Sequence, residues 1–184
     1  MQTEVVFAGF GGQGVLTAGK FLALAGMEEG KEVCWMPAYG PEMRGGTANC
    51  TVILSDRMIG SPIIANPKVA IAMNLPSLDK FEPALVPGGL VIINSSLIER
   101  DTNRDDLDVL KVPCNQMAID LGNPKIANVI ILGAFLGKMP IVKIETIKKI
   151  IDKTFAKKGQ AIVELNYKAL EAGIALGQNG GGKA

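Results

Sequence analysis

The sequence predicts an α/β fold of the Rossmann-like kind, a mostly parallel sheet flanked by helices, with a helical C-terminal part. Three observations carry this. Short continuous apolar runs at 5–8, 69–73 and 90–93 are bounded by turn residues, the pattern of strands buried on both faces. Gly9, Gly11 and Gly14 stand between the first run and a helical stretch, in glycine-x-glycine-x-x-glycine spacing. From residue 126 onward the apolar period becomes helical.

Taken in order, 3–8 reads as the first strand and 12–29 as the first helix, with Gly30 ending it. The second strand is 32–36, stopped by Pro37. Residues 37–46 form a loop, and 47–54, alternating and rich in β-branched residues, a third strand. Residues 58–64 suit a short strand or hairpin arm, and 69–73 a buried strand. A short helix over 76–81 has Pro76 in its first turn. Strands at 90–93 and 107–112 follow, the first after the turn at Pro87, Gly88 and Gly89. Helical spacing covers 126–138, 144–155 and 161–176, separated by Pro140 and Gly159. Residues 1–178 form a single domain, and 179–184 a disordered glycine-rich tail.

Bulk composition narrows the function. A chain of 184 residues suits one domain, and such a domain buries about 70% of its unfolded surface. The net charge is +1 with the signs mixed, so no basic block invites nucleic acid. The longest apolar stretch, 129–137, is too short to cross a membrane, and no charged leader precedes the first strand. The cytoplasm is the expected location. Cys34, Cys50 and Cys114 lie far apart with no Cys-x-x-Cys pair, so they read as buried reduced thiols, and no metal site is expected. The chain has no histidine, which removes the commonest general base and every Ser-His or Cys-His pair.

Two segments carry the candidate site. In the first, Gly9 permits a sharp turn, Gly11 a close backbone approach, and Gly14 tight packing of the new helix. The helix start then offers unpaired N–H groups to an anion. Ligand contact and purely structural packing both satisfy this pattern. A dinucleotide reading also wants an acid at the end of the second strand, and Glu32 sits at its beginning. The second segment, 39–46, holds Tyr39, Glu42, Arg44 and three glycines in a long connection. It leaves the second strand on the same edge as the glycine loop, so Arg44 can reach an anion held near Gly11 and Gly12. Pairing of Glu42 with Arg44 on a solvated loop is the alternative, and Tyr39 with Met43 also suits a docking surface.

Together the segments 9–15 and 39–46, with Met73-Asn74 and the stretch from Asn128 to Ala134, resemble the gamma subunit of the 2-oxoacid:ferredoxin oxidoreductases. The resemblance runs from Thr3 to about Leu176. It implies one part of a larger enzyme that oxidatively decarboxylates a 2-oxoacid to an acyl-CoA and reduces ferredoxin. It implies alpha, beta and ferredoxin-like delta subunits as partners. Thiamine diphosphate, magnesium and iron–sulfur clusters would sit on those partners, with no cofactor tightly bound by this chain alone, and the isolated chain would be inactive. A homodimer is also compatible. The resemblance carries over Gly9, Gly11, Gly12, Gln13 and Gly14 as one loop, and Tyr39, Glu42 and Arg44 with their glycines as the other, and it implies a share in binding coenzyme A. The 2-oxoacid stays open among pyruvate, 2-oxoglutarate, branched-chain oxoacids and indolepyruvate, with a lean toward 2-oxoglutarate. A free-standing NAD(P)-dependent dehydrogenase and a nucleotide-sensing module are the alternatives, both resting on the glycine loop.

Overall fold

A computed structural model describes residues 1–40 and 46–180. Six strands form one sheet in the order β2-β3-β1-β4-β5-β6. They are β1 (Gln2–Phe10), β2 (Glu32–Tyr39), β3 (Thr47–Ser55), β4 (Val69–Ala72), β5 (Leu90–Asn94) and β6 (Asp108–Val112). β1 pairs in parallel with β4, as do β4 with β5 and β5 with β6. β3 runs antiparallel to both β1 and β2, so it is the one reversed strand. β2 and β3 are therefore a hairpin laid onto an otherwise parallel sheet.

The alternation of side chains across the pleat divides the interior in two. Val5, Phe7, Val52, Leu54, Ile71, Ile92 and Leu110 face a large core. Helices α1 (Val15–Glu28), α4 (Ala127–Lys138), α5 (Ile144–Phe155) and α6 (Gln160–Asn179) complete it. Ala70, Ala72, Val91 and Ile93 face a smaller core on the other side, closed by Leu78 of α2 (Leu75–Phe81) together with Leu85 and Ile98. α4 is buried around its circumference because it lies between the sheet, where Phe135 meets Phe7 edge-on at 6.5 Å, and α6. α5 is the amphipathic contrast. Ile147, Ile150 and Ile151 are buried, and Lys153 pairs with Glu28 of α1 at the surface.

The α4–α6 contact is set by glycine. A Cβ on Gly133 would lie 2.3 Å from the Leu170 carbonyl oxygen, and one on Gly173 would lie 2.0 Å from that of Ile130. The two backbones touch, so the small residues four apart on α4 serve packing within the chain.

Several sequence expectations shift. β2 continues through Pro37 to Tyr39. This is tolerated because β2 is an edge strand, where a missing N–H need not break a ladder. It is mostly exposed, so the sheet is not covered on both faces at this edge. Residues 58–64 form neither strand nor hairpin arm but bends in the return from β3 to β4. A seven-residue helix, α3 (Cys114–Asp120), follows β6 and was not expected. It buries only Cys114 and Ala118, too little to leave a period in the sequence. α6 runs through Gly177 to Asn179, three residues past the expected stop, because Gly177 packs on the Ala134 carbonyl of α4. The last four residues of the expected tail, 181–184, lie outside the described residues.

Candidate functional site

α1 packs in the large core and α2 in the small one, so the chain leaves the neighbouring strands β1 and β4 toward opposite faces. Their carboxyl ends therefore flank a topological switch point, where open α/β sheets bind ligands. The glycine loop sits there. Gly9 must be glycine for space, since a Cβ would fall 2.6 Å from Gln13 Oε1 and 2.9 Å from Met73 Cβ. Gly12 and Gly14 have φ of 99° and 76°, a region that L side chains rarely adopt. Gly14 is the N-cap of α1, and among the described residues no side chain caps it. The first-turn N–H groups of α1 thus point out of the loop with the helix dipole behind them.

Side-chain amides hold this loop in place. The Phe10 N–H donates to Gln13 Oε1 at 2.6 Å, and Gln13 Nε2 donates to the Met73 carbonyl at 3.3 Å. Asn128, from α4, donates to the Gly14 carbonyl at 3.2 Å. Asn94 at the end of β5 is fully buried and donates both to the Met73 carbonyl at 3.1 Å and to Asn115 Oδ1 at 2.8 Å. Asn74 caps α2 by accepting from the Ser77 N–H at 3.0 Å. The ends of β1, β4, β5 and α3 are thereby tied through neutral amides. Asn115 escaped sequence reasoning because it lies on the unexpected helix. The one local cue was Pro113 immediately before it, a residue that starts helices readily.

The structure brings the two sequence segments together. The Gly11 N–H donates to the Gly46 carbonyl at 2.9 Å, joining the glycine loop to the β2–β3 hairpin. That bond occupies one of the donors an anion would otherwise use. Tyr39 ends β2 opposite Ala48 and is exposed. Glu42 and Arg44 lie outside the described residues. Cys50 and Cys114 are buried and Cys34 is half-buried. Burial pushes the Cys50 and Cys114 thiols up to about 12. Among the described residues no group of three or more His, Cys, Asp or Glu converges as a metal site, and no helix is long and apolar enough to cross a membrane. Away from the site, the buried Glu82 carboxylate accepts from Arg100 Nη2 at 2.9 Å and from the Asn103 N–H at 2.5 Å, and staples the loop between β5 and β6.

The fold and the site define a Rossmann-like domain whose glycine loop is braced by a strand hairpin and is built from amides, with no acid–base or nucleophile pair among the described residues. The chain belongs to the pyruvate ferredoxin/flavodoxin oxidoreductase family, whose pattern matches residues 4–176. It is 38% identical over 173 residues to ketoisovalerate oxidoreductase subunit VorA of Methanothermobacter thermautotrophicus, covering 94% of this chain and 36% of that one. It therefore spans about a third of that relative's length. It is 32% identical over 154 residues to 2-oxoglutarate synthase subunit KorC of Methanocaldococcus jannaschii, covering 82% of each. The keto/oxoacid ferredoxin oxidoreductase gamma subunit from Geobacter sulfurreducens superimposes with a TM-score of 0.80 at 28% identity, covering 96% of this chain and 99% of that one. A chain of the 2-oxoglutarate:ferredoxin oxidoreductase from Magnetococcus marinus, solved with 2-oxoglutarate, coenzyme A and succinyl-CoA bound, has the same fold. Its TM-score is 0.91 at 24% identity, over 97% of this chain and 31% of that one.

Proposed function

We propose that this chain acts as the gamma component of a multi-subunit 2-oxoacid:ferredoxin oxidoreductase and walls the reaction site without performing the chemistry alone. The observation that carries this is the Gly11–Gly46 bond, which closes the two family segments into one loop pair at the switch point. Family membership and the full-length likeness to separate gamma-type subunits support it. In this reading thiamine diphosphate, magnesium and iron–sulfur clusters belong to the other subunits.

The chain's own share is the loop pair. Gly9, Gly11, Gly12, Gln13 and Gly14 set the backbone, and the first-turn N–H groups of α1 suit a phosphate of coenzyme A. Tyr39 ends β2 beside it, Glu42 and Arg44 follow it in the sequence, and a guanidinium suits the same phosphates. The alpha, beta and delta subunits are the partners, and the cytoplasm the place. The test measures 2-oxoacid-dependent dye reduction by the chain alone and by the assembled enzyme. The chain alone is expected to give no turnover. In the assembled enzyme, Arg44→Gln is expected to raise the KM for coenzyme A about tenfold, the loss of roughly 1.4 kcal/mol from a charge-assisted hydrogen bond, with kcat within about twofold. Turnover by the isolated chain, or an unchanged KM, counts against the corresponding part of the proposal.

A further inference from the structure

The carboxyl edge of the sheet has an unusual composition. The segments 9–15, 73–78, 94–98 and 112–119, which leave β1, β4, β5 and β6 on that edge, contain no Asp, Glu, Lys or Arg, in a chain that is 20% charged. The same edge displays large apolar side chains. Phe10 ends β1, Tyr39 ends β2, Leu75 follows β4, Leu97 follows β5, and Ile119 lies on α3 after β6, with exposures from 38% to 64%. Adjacent strand ends stand about 4.8 Å apart, so the apolar groups at β1, β4 and β5 succeed one another along the rim. Between them the amides of Gln13, Asn74, Asn94 and Asn115 are already bonded to one another or to backbone. At the ends of β1, β4, β5 and β6 this is the composition of an interface core, apolar and uncharged with its side-chain amides paired.

We propose that this carboxyl edge is the face on which a different subunit of the same oxidoreductase docks, through an equally uncharged, apolar surface. The inference rests on the function proposed above. Two observations favour a different chain over a second copy. In VorA the matching stretch is 36% of one polypeptide, so there the domain is joined to other chain of about twice its size. The sheet edge most open to self-pairing, β2, carries Pro37, which removes a ladder donor.

The test co-expresses the chain with the remaining subunits of its oxidoreductase and follows assembly by native mass spectrometry. Leu75→Arg with Leu97→Arg is compared with Met58→Arg and Ile63→Arg, exposed apolar residues on the return from β3 to β4 at the opposite edge. Thermal melts of each free chain verify folding. The expected result is at least a tenfold loss of assembled complex for the first pair, none for the second, and unchanged melts for both. Hydrogen exchange on the wild-type complex is expected to protect the segments around Leu75 and Leu97 relative to the free chain, a readout that does not depend on the variants folding. Assembly indifferent to the first pair, without such protection, overturns this inference and leaves the proposed function standing. A wild-type chain that forms only copies of itself overturns both.

Discussion

Gly173→Ala offers a sign test of the packing described here. In an isolated helix this change stabilises, by about 1 kcal/mol, because glycine is the more flexible residue. In α6 the added Cβ would sit 2.0 Å from the Ile130 carbonyl oxygen and 2.8 Å from the Ala134 nitrogen, both backbone atoms of α4. Backbone cannot change rotamer, so the helices must part by about 1 Å along a seam that also holds Gly133, Gly137 and Gly177. Overpacking of this kind costs about 3 kcal/mol at the upper end of its usual range, leaving a net destabilisation of about 2 kcal/mol. For a domain of this size that lowers Tm by about 4–8 °C. Thermal unfolding of the purified chain, followed by circular dichroism at 222 nm, reads it directly. Gly60→Ala, at a position with nothing within 4 Å, is the control and should leave Tm unmoved. The double variant Gly133→Ala with Gly173→Ala should lose less than the sum of the singles, since the first insertion opens the seam for the second. A Tm for Gly173→Ala at or above wild type would mean that the helices do not touch backbone to backbone, and the account of α4 and α6 fails.

Other expectations follow from the same geometry. Asn128→Ala removes the donor to the Gly14 carbonyl, at a cost of about 1 kcal/mol, and should speed hydrogen exchange at the start of α1. Glu82→Ala leaves Arg100 with Asp79 alone and the Asn103 N–H without its acceptor, and chemical denaturation should register a loss of about 1–2 kcal/mol. At pH 8, Cys34 should react with a thiol reagent in the folded chain, and Cys50 and Cys114 only on unfolding. The sign of the linked pH effect is fixed. These two thiols titrate higher folded than unfolded, so their neutral burial stabilises fully below the unfolded thiol value and is lost as pH rises toward about 12. Asp56, held down by hydrogen bonds from the chain's amino group and from Lys31, should titrate below the ordinary aspartate range by NMR. Its contribution is present above that range and is lost as acid protonates it.

What the sequence made legible was whatever leaves a local pattern. β1, β4 and β5 stand out as apolar runs because both of their faces are buried. α5 stands out because one face is wet. The adjacency of the glycine loop and the β2–β3 segment was also readable, since both leave parallel-running strands at the same edge. The reversal of β3 was not readable. Alternation of apolar residues marks a strand but carries no direction, and only the register from Gln2 opposite Ser55 to Phe10 opposite Thr47 reveals it. α3 was invisible because two buried residues set no period. The amide ties among Gln13, Asn94 and Asn115 join residues far apart in the chain, and no local rule selects those partners.

The reversal of β3 also bears on the dinucleotide reading of the glycine loop. In a dinucleotide site the acid that binds the ribose ends the strand next to β1, about one strand spacing from the loop. Here β3 occupies that place, and its neighbouring end begins at Thr47 and Ala48, while β2 lies one strand further out and ends at Tyr39. No carboxylate can be supplied at the required position by β2, whatever its sequence. Gln13 folds back against Gly9 and donates to the Met73 carbonyl, and the Gly11 N–H is engaged by Gly46. The loop keeps the helix-start donors of the Rossmann pattern and has lost its nucleoside half. Titration of the purified chain with NADH or NADPH, followed by nucleotide fluorescence, should therefore show no binding in the micromolar range. Micromolar binding by the isolated chain would reverse this conclusion, because the loop would then have to open, breaking the Gln13 bonds, to admit the ligand.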